Sequence, residues 1–510
     1  MFKHKILPSK LSVAIFIFFV ALSLRMLLFI AVGPWHDHVS KEIILKFDDS
    51  VRYHEKAILL NKNMPAIYDR PIYHYFIGLF YFIFGYRPYI VIIFHLIMGS
   101  LTCVFLYKIG QIIFNEQIAI FAGLFLAFEY SNILYSNLLL TEAMFIFLFI
   151  VFIYFFVKFL MKKNMRELVY SAIFLGLSAH VRPIGLYFSI FLIFPLFLYF
   201  RSNLKKGILS FIILISVLLL AIIPWMIRNY VVIGEFMLSA DQSIAQNAIF
   251  PNLMNIIKPP RTIKHWTASE KRMIIEETKQ PGMSVANVIK KYSIRAIQFF
   301  QWQQQLEDGE LLLENSLEKK EVYSQQTEQD QNPQRGYFGT EIQSQEIPIK
   351  KSIIIAILAD TKRFIRGMYR YFSVLGSSTY PQILGLPYTS IDHKTWANGL
   401  WEMAKVAIQQ KSKLEWFFTG LGLSLLLYLY STMCFGIYTS IRKKEFAKIV
   451  LFVFVIAYFA LASFGVIADL SGYNDVKLRV RVPIMPYIIL LSCYGMTELR
   501  DRWKHFHFRN

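Results

Sequence analysis

The 510-residue chain has only three cysteines, Cys103, Cys434 and Cys493, too few and too widely spaced for a disulfide framework or a thiolate metal site. Each falls inside an apolar run, where a thiol packs as a small hydrophobe. The chain also has no Gly-x-Gly-x-x-Gly and no Gly-Lys-Ser/Thr loop, which argues against nucleotide chemistry built on those phosphate cradles. No Asn-x-Ser/Thr sequon occurs, and no repeat of fixed period is present. Charge is scarce as well: 17% of residues are charged, with 34 Asp and Glu against 54 Lys and Arg.

What fills the chain is apolar. Hydrophobic residues make up 55% of it, and they gather in runs long enough to cross a bilayer. Candidate spans run from Leu11 to Gly33, Pro88 to Gly110, Gln117 to Tyr135, Thr141 to Phe159, Leu168 to Val181, Ile184 to Phe200, Gly207 to Ile227, Glu415 to Ser440, Ala447 to Ala468 and Val482 to Glu498. The expected fold is therefore an all-α polytopic membrane protein of about ten transmembrane helices. The first run is longer than a signal core and has no small-residue cleavage site, so it reads as an uncleaved helix. A net charge of +20 raises nucleic acid as a partner. The basic residues, however, sit mainly in short turns between apolar runs, where they set topology and meet anionic lipid headgroups.

Those turns fix an orientation. Clusters at the N-terminus, at Lys158 to Arg166, at Arg201 to Lys206, at Arg442 to Lys448 and from Arg500 to Arg509 belong on the cytoplasmic side. The crossings agree only if Ile72 to Gly85 does not span, so that stretch reads as an amphipathic helix in the interface. Three regions follow: residues 1–230, a membrane module with the first outer loop; 231–414, a large outer segment; and 415–510, the last helices with a basic cytoplasmic tail. Within the outer segment the Gln/Glu-rich stretch 301–346 lacks apolar periodicity and reads as a mobile loop. Flanking pieces at 284–303 and 352–372 read as helices, the second basic and amphipathic.

The same parity places several charged residues together on the outer side. Asp48 and Asp49 open a short helix after the first span, with Tyr53 and His54 one turn on. Glu142 opens the fourth span. Arg70 and Arg182 each precede a proline, Arg228 and Asn229 end the seventh span, and Arg479 and Arg481 lead into the last. Each has an ordinary explanation alone: a helix cap, a carboxylate favoured by a helix dipole, or an arginine reaching to water. Together they match an anionic lipid headgroup, because a guanidinium fork fits phosphate oxygens. Arg25, well inside the first span, has no such account.

The order Asp48-Asp49-x-x-x-Tyr53-x-x-x-Ala57, Arg70-Pro71-x-Tyr73-x-Tyr75, Thr141-Glu142, Val181-Arg182-Pro183, Pro224-Trp225-x-x-Arg228-Asn229-Tyr230 and Arg479-x-Arg481-x-Pro483-x-x-Pro486 resembles the GT-C glycosyltransferases. More narrowly, it is similar to the protein mannosyltransferase-like family that includes the lipid A aminoarabinose transferase. The resemblance covers residues 11–230 and 416–495. It implies a GT-C helical bundle in the inner (plasma) membrane that transfers a sugar from a polyprenyl-phosphate donor to an acceptor hydroxyl or phosphate on the periplasmic or extracellular face. It puts the catalytic acid on Asp49, with Asp48 beside it and Glu142 as second acid, and the donor phosphate on Arg70, with the other arginines around it. A divalent cation between Asp49 and Glu142 stays open. Asp49-Ser50 stands where an Asp-Glu pair is common in the family. A flippase of lipid-linked sugars and a non-catalytic membrane scaffold are the alternatives.

Overall fold

The computed structural model describes residues 10–36, 48–61, 70–233, 413–469 and 481–507, with short stretches between 266 and 306 and single positions at 45, 236 and 238. Among them every regular element is helical. The chain divides into two compact units, one of residues 1–222, 243–249 and 361–510, the other of 223–242 and 250–360.

The first unit holds α1 (Lys10–Val32), α2 (Asp48–Asn61), α3 (Pro71–Phe84), α4 (Pro88–Ile113), α5 (Glu116–Phe128), α6 (Tyr130–Ser136), α7 (Glu142–Lys162), α8 (Met165–Val181), α9 (Ile184–Phe191), α10 (Ile193–Tyr199), most of α11 (Leu204–Ile233), α14 (Lys413–Arg442), α15 (Phe446–Asp469) and α16 (Met485–His507). Every expected span is helical. By length and apolar character alone six helices can cross a membrane, or seven when α5 and α6, bent by 55° at Glu129, count as one broken span. α8, at 17 residues, measures about 26 Å, and α9 and α10 are two short pieces of one expected span.

The core forms around α7. Phe145, Phe149, Phe152 and Phe156 recur every three or four residues and are fully buried, as one stripe of a helix requires. Phe149 meets Phe188 of α9 and Phe459 of α15 edge to face at 5.4 and 5.3 Å. α7 stops at Lys163, whose φ of 55° is left-handed and whose N–H donates to the Phe159 carbonyl. Asn164 then caps α8 by accepting from the Arg166 N–H, and Lys158 pairs with Glu167 across the turn at 2.8 Å. Local capping and one ion pair thus close this hairpin.

α14 and α16 approach through glycine. A Cβ on Gly495 would collide with the Thr432 carbonyl oxygen, and one on Gly436 would lie 2.8 Å from that of Leu491. Small residues let membrane helices pack by van der Waals contact, the force that remains where lipid is as apolar as protein. Gly495→Ala is expected to cost about 1–3 kcal/mol, read as a lower midpoint of thermal unfolding in micelles. Gly420→Ala, where a Cβ meets nothing, is the control and should not lower it.

α3 departs from expectation in its facing. Pro71–Phe84 is a 14-residue helix of about 21 Å, too short to cross, as the crossing count requires. Its polar side is turned inward, though: His74 and Tyr73 are fully buried, whereas Leu79, Phe82, Ile83 and Phe84 are exposed. The outward face is therefore apolar, because its polar groups bond to protein: His74 Nδ1 lies 2.8 Å from the Arg70 carbonyl.

The second unit contains the end of α11, α12 (Ala268–Glu277) and α13 (Val285–Tyr292). Thr267 and Glu270 form a reciprocal capping box at the start of α12, a strong helix-start signal. Ile274, Ile275, Val288, Ile294, Phe299 and Trp302 make its small core. Lys291 and Tyr292 both donate to Glu277, tying the two helices and holding that carboxyl below its ordinary pKa. The basic helix expected at 352–372 and most of the Gln-rich stretch lie outside the described residues.

Candidate active site

α2 carries the first acidic group. Asp49 Oδ1 accepts from Arg52 at 2.6 Å, the one-turn spacing that lets helix side chains pair. Tyr53, four residues beyond Asp49, is fully buried. Its ring meets Tyr73 at 5.1 Å and His74 at 5.6 Å, both edge to face, and the Arg70 guanidinium lies 5.3 Å from its centre. Arg70 is thus fixed against the aromatic cluster by its own helix start, with Pro71 as the first helical residue. His54 bonds the Tyr81 hydroxyl at 2.6 Å, and burial holds its imidazole below the ordinary pKa. The Asp48 side chain lies outside the described residues.

The second acidic group lies one helix pair further. Glu142 opens α7 with 0% of its side chain exposed and binds Arg182 Nη1 at 2.8 Å, forty positions away. Arg182 follows α8 and keeps 18% of its side chain exposed, with Phe145 under its guanidinium at 5.8 Å. His95 of α4 joins the two groups. It stacks on Tyr73 at 5.8 Å, its Nδ1 donates to the Leu138 carbonyl at 3.0 Å, and it is in electrostatic contact with Glu142. Contacts therefore run from Asp49 through Arg52, Tyr53 and Tyr73 to His95, and the charge of Glu142, paired with Arg182, is felt at His95.

Arg481, 1% exposed, precedes α16 and donates to the hydroxyls of Tyr130 on α6 and Tyr430 on α14. Tyr130 follows the break at Glu129, whose two carboxylate oxygens cap α6 by accepting from the amides of Ser131 and Asn132. Sequence reading ran through this break as one span and passed over Arg52, His95, Glu129, Tyr130 and Tyr430. The signal for the break was an acid inside an apolar run, followed by Tyr-Ser-Asn, the pattern of a helix start. Arg228 belongs to the second unit, where its guanidinium bonds Asn229 at 3.0 Å and covers Trp225 at 4.8 Å. Arg479 lies outside the described residues.

With this geometry in view, residues 65–227 match the family model described as dolichyl-phosphate-mannose-protein mannosyltransferase. The chain carries a mannosyltransferase-family domain. That domain holds Arg70, Tyr73, His95, Glu129, Glu142 and Arg182, while Asp49, Arg228 and Arg481 fall outside its limits. Residues 261–335 match a second model, described as transposase, over the stretch that includes α12 and α13. No curated protein matches the chain. Among solved structures, it is similar to the oligosaccharyltransferase of Archaeoglobus fulgidus. The apo form shows 13% identity and a TM-score of 0.48, over 98% of this chain and 51% of that one. The form with a tethered acceptor peptide shows 12% identity and a TM-score of 0.47, over 98% and 50%. The complex with an inhibitory peptide and a dolichol-phosphate shows 12% and 0.46, over 98% and 51%. The chain spans about half the length of these proteins. With a mannosyltransferase-family domain among several apolar spanning helices, it is a multi-pass membrane protein.

Proposed function

We propose that the protein is a glycosyltransferase that moves a sugar from a polyprenyl-phosphate donor to an acceptor on the outer face of the plasma membrane. The observation that carries this reading is the buried Glu142–Arg182 pair inside the mannosyltransferase-family domain, to which the helix that presents Asp49 is held by Tyr53 packing on Tyr73. Asp49, paired in its ionised form with Arg52, takes the proton of the acceptor as its oxygen attacks the anomeric carbon. The bond to the lipid phosphate breaks, and that phosphate leaves as a stable anion without needing a general acid. Guanidinium groups match its developing charge: Arg70, Arg182 and Arg481 from the first unit, with Arg228 and Arg479 added from the sequence order alone. Glu142 holds Arg182 in place and orients the acceptor. Among the described residues no three His, Cys, Asp or Glu side chains converge as metal ligands, so no step is routed through a divalent cation. Nucleic acid has no place in this reading, because the charge parity puts residues 261–335 on the outer side.

The test is direct. Protein in vesicles, supplied with envelope lipids containing polyprenyl-phosphate sugars, should release free polyprenyl phosphate over time, followed by mass spectrometry. Intact donor after prolonged incubation with all envelope fractions would exclude the reading. A second reading, passage of a lipid-linked sugar across the membrane, draws on the buried Arg25 and the broken span at Glu129, features that line transport paths elsewhere. It predicts movement of the donor between leaflets with its sugar still attached.

A further inference from the structure

Arg25 lies two-thirds of the way along α1, about 22 Å from Lys10 and about 10 Å from Val32, and is fully buried. Fully enclosed by protein, the side chain does not reach water, and a charge within a membrane span is costly. Its partners are few: Nη1 donates to the Ala21 carbonyl at 3.0 Å and Nη2 lies 3.9 Å from Cys103 Sγ, while Nε has no partner among the described residues. No carboxylate forms an ion pair with it among those residues. The Cys103 thiol feels the charges of both Arg25 and Glu129.

The packing is specific to this side chain. A Cβ on Gly99 would lie 2.7 Å from Arg25 Nε and would collide with Ser136 Oγ of α6, so the glycine leaves the space that both groups fill. One residue on, Asn137 Nδ2 donates to the Arg25 carbonyl at 3.4 Å and to the Ile133 carbonyl at 2.9 Å. The 129–142 segment is therefore held at three levels: the Glu129 cap; the Arg25 side chain packed beside Ser136, with Asn137 on the Arg25 backbone carbonyl; and His95 on Leu138. One end of that segment presents Tyr130 to Arg481, and the other presents Glu142 to Arg182.

We infer that Arg25 is a positioning residue: its buried guanidinium, bonded to α1 and α4 and packed beside Ser136 in the space that Gly99 leaves, seats the bent span, and so sets the placement of both Tyr130 and Glu142. Its role at the donor site rests on the transfer reading; its hold on the segment does not. Hydrogen–deuterium exchange on the full chain in lipid nanodiscs separates the two. Arg25→Met should speed amide exchange in residues 129–141 about tenfold or more, while 165–181 and 485–498 stay within about twofold. Arg25→Lys, which keeps the charge and loses the fork, should recover part of that protection. In the same nanodiscs Arg25→Met should weaken binding of undecaprenyl phosphate, with Arg25→Lys intermediate. Unchanged exchange in 129–141, or an equal rise throughout the bundle, would overturn the inference. If wild-type protein binds no undecaprenyl phosphate, the transfer reading fails while the exchange result still decides the role of Arg25.

Discussion

Asp49→Asn should lower sugar transfer by about 100- to 10,000-fold, the span of a lost general base, and leave undecaprenyl phosphate binding unchanged. The substitution keeps size and shape. Asp49 is part of a partly exposed helix and pairs with Arg52, one turn away, so Asn removes charge at a surface where exposed pairs contribute little to stability. The expected melting midpoint is therefore that of the wild type. Because the leaving phosphate contacts arginines and not Asp49 in this mechanism, donor affinity should also hold. A flippase predicts unchanged passage of lipid-linked sugar in this variant, and a scaffold predicts no transfer by any form of the protein. Transfer at the wild-type rate by Asp49→Asn would move the base elsewhere, with Glu142 the next acid in the domain.

Some of this architecture is legible in one dimension because its cause is local. Basic turns and apolar runs place the helices, since charge is excluded from hydrocarbon wherever it falls in the chain. Proline after Arg70 and after Arg182 marks the chain breaks at those arginines. Pairing is another matter. Glu142 and Arg182 are forty residues apart, and no periodicity connects a helix start with a turn two helices' length away. The inward polar face of α3 was hidden for a related reason: Tyr73 and His74 look like interruptions of an apolar surface until Tyr53 and His95 are seen to enclose them. Arg25 stood out in the sequence without an explanation, because Gly99, Ser136 and Asn137 give it one only in three dimensions. In the segment at 261–335 the sequence marks a helix at 284–303 ahead of a loop, and the core of Ile274, Val288 and Trp302 joins that helix to α12, which the sequence reading passes over.

The Glu142–Arg182 pair should show an asymmetry when it is cut from either side. Arg182→Met removes the cation from a carboxylate with no exposure, and stranding a buried charge costs about 3–5 kcal/mol. Arg182 keeps some contact with solvent, which screens the pair, so the lower end of that range is expected. The start of α7 supplies part of the compensation, since a helix N-terminus favours a carboxylate by about 0.3–1 kcal/mol. Glu142→Gln strands the other partner less severely. Arg182 already reaches solvent and rests on Phe145, so its guanidinium can turn outward, at a cost of about 1–2 kcal/mol. Joining the two should recover most of the loss, because Gln facing Met leaves no buried charge. Thermal unfolding of the two single variants and the double variant in one detergent closes the cycle. Equal losses from the single variants would remove the asymmetry, and a double variant whose losses simply add would mean that the contact carries no coupling. Transfer should follow a different order. The double variant, refolded to near wild-type stability, should stay inactive, because the acceptor and the departing phosphate meet the charges themselves and not the stability they confer.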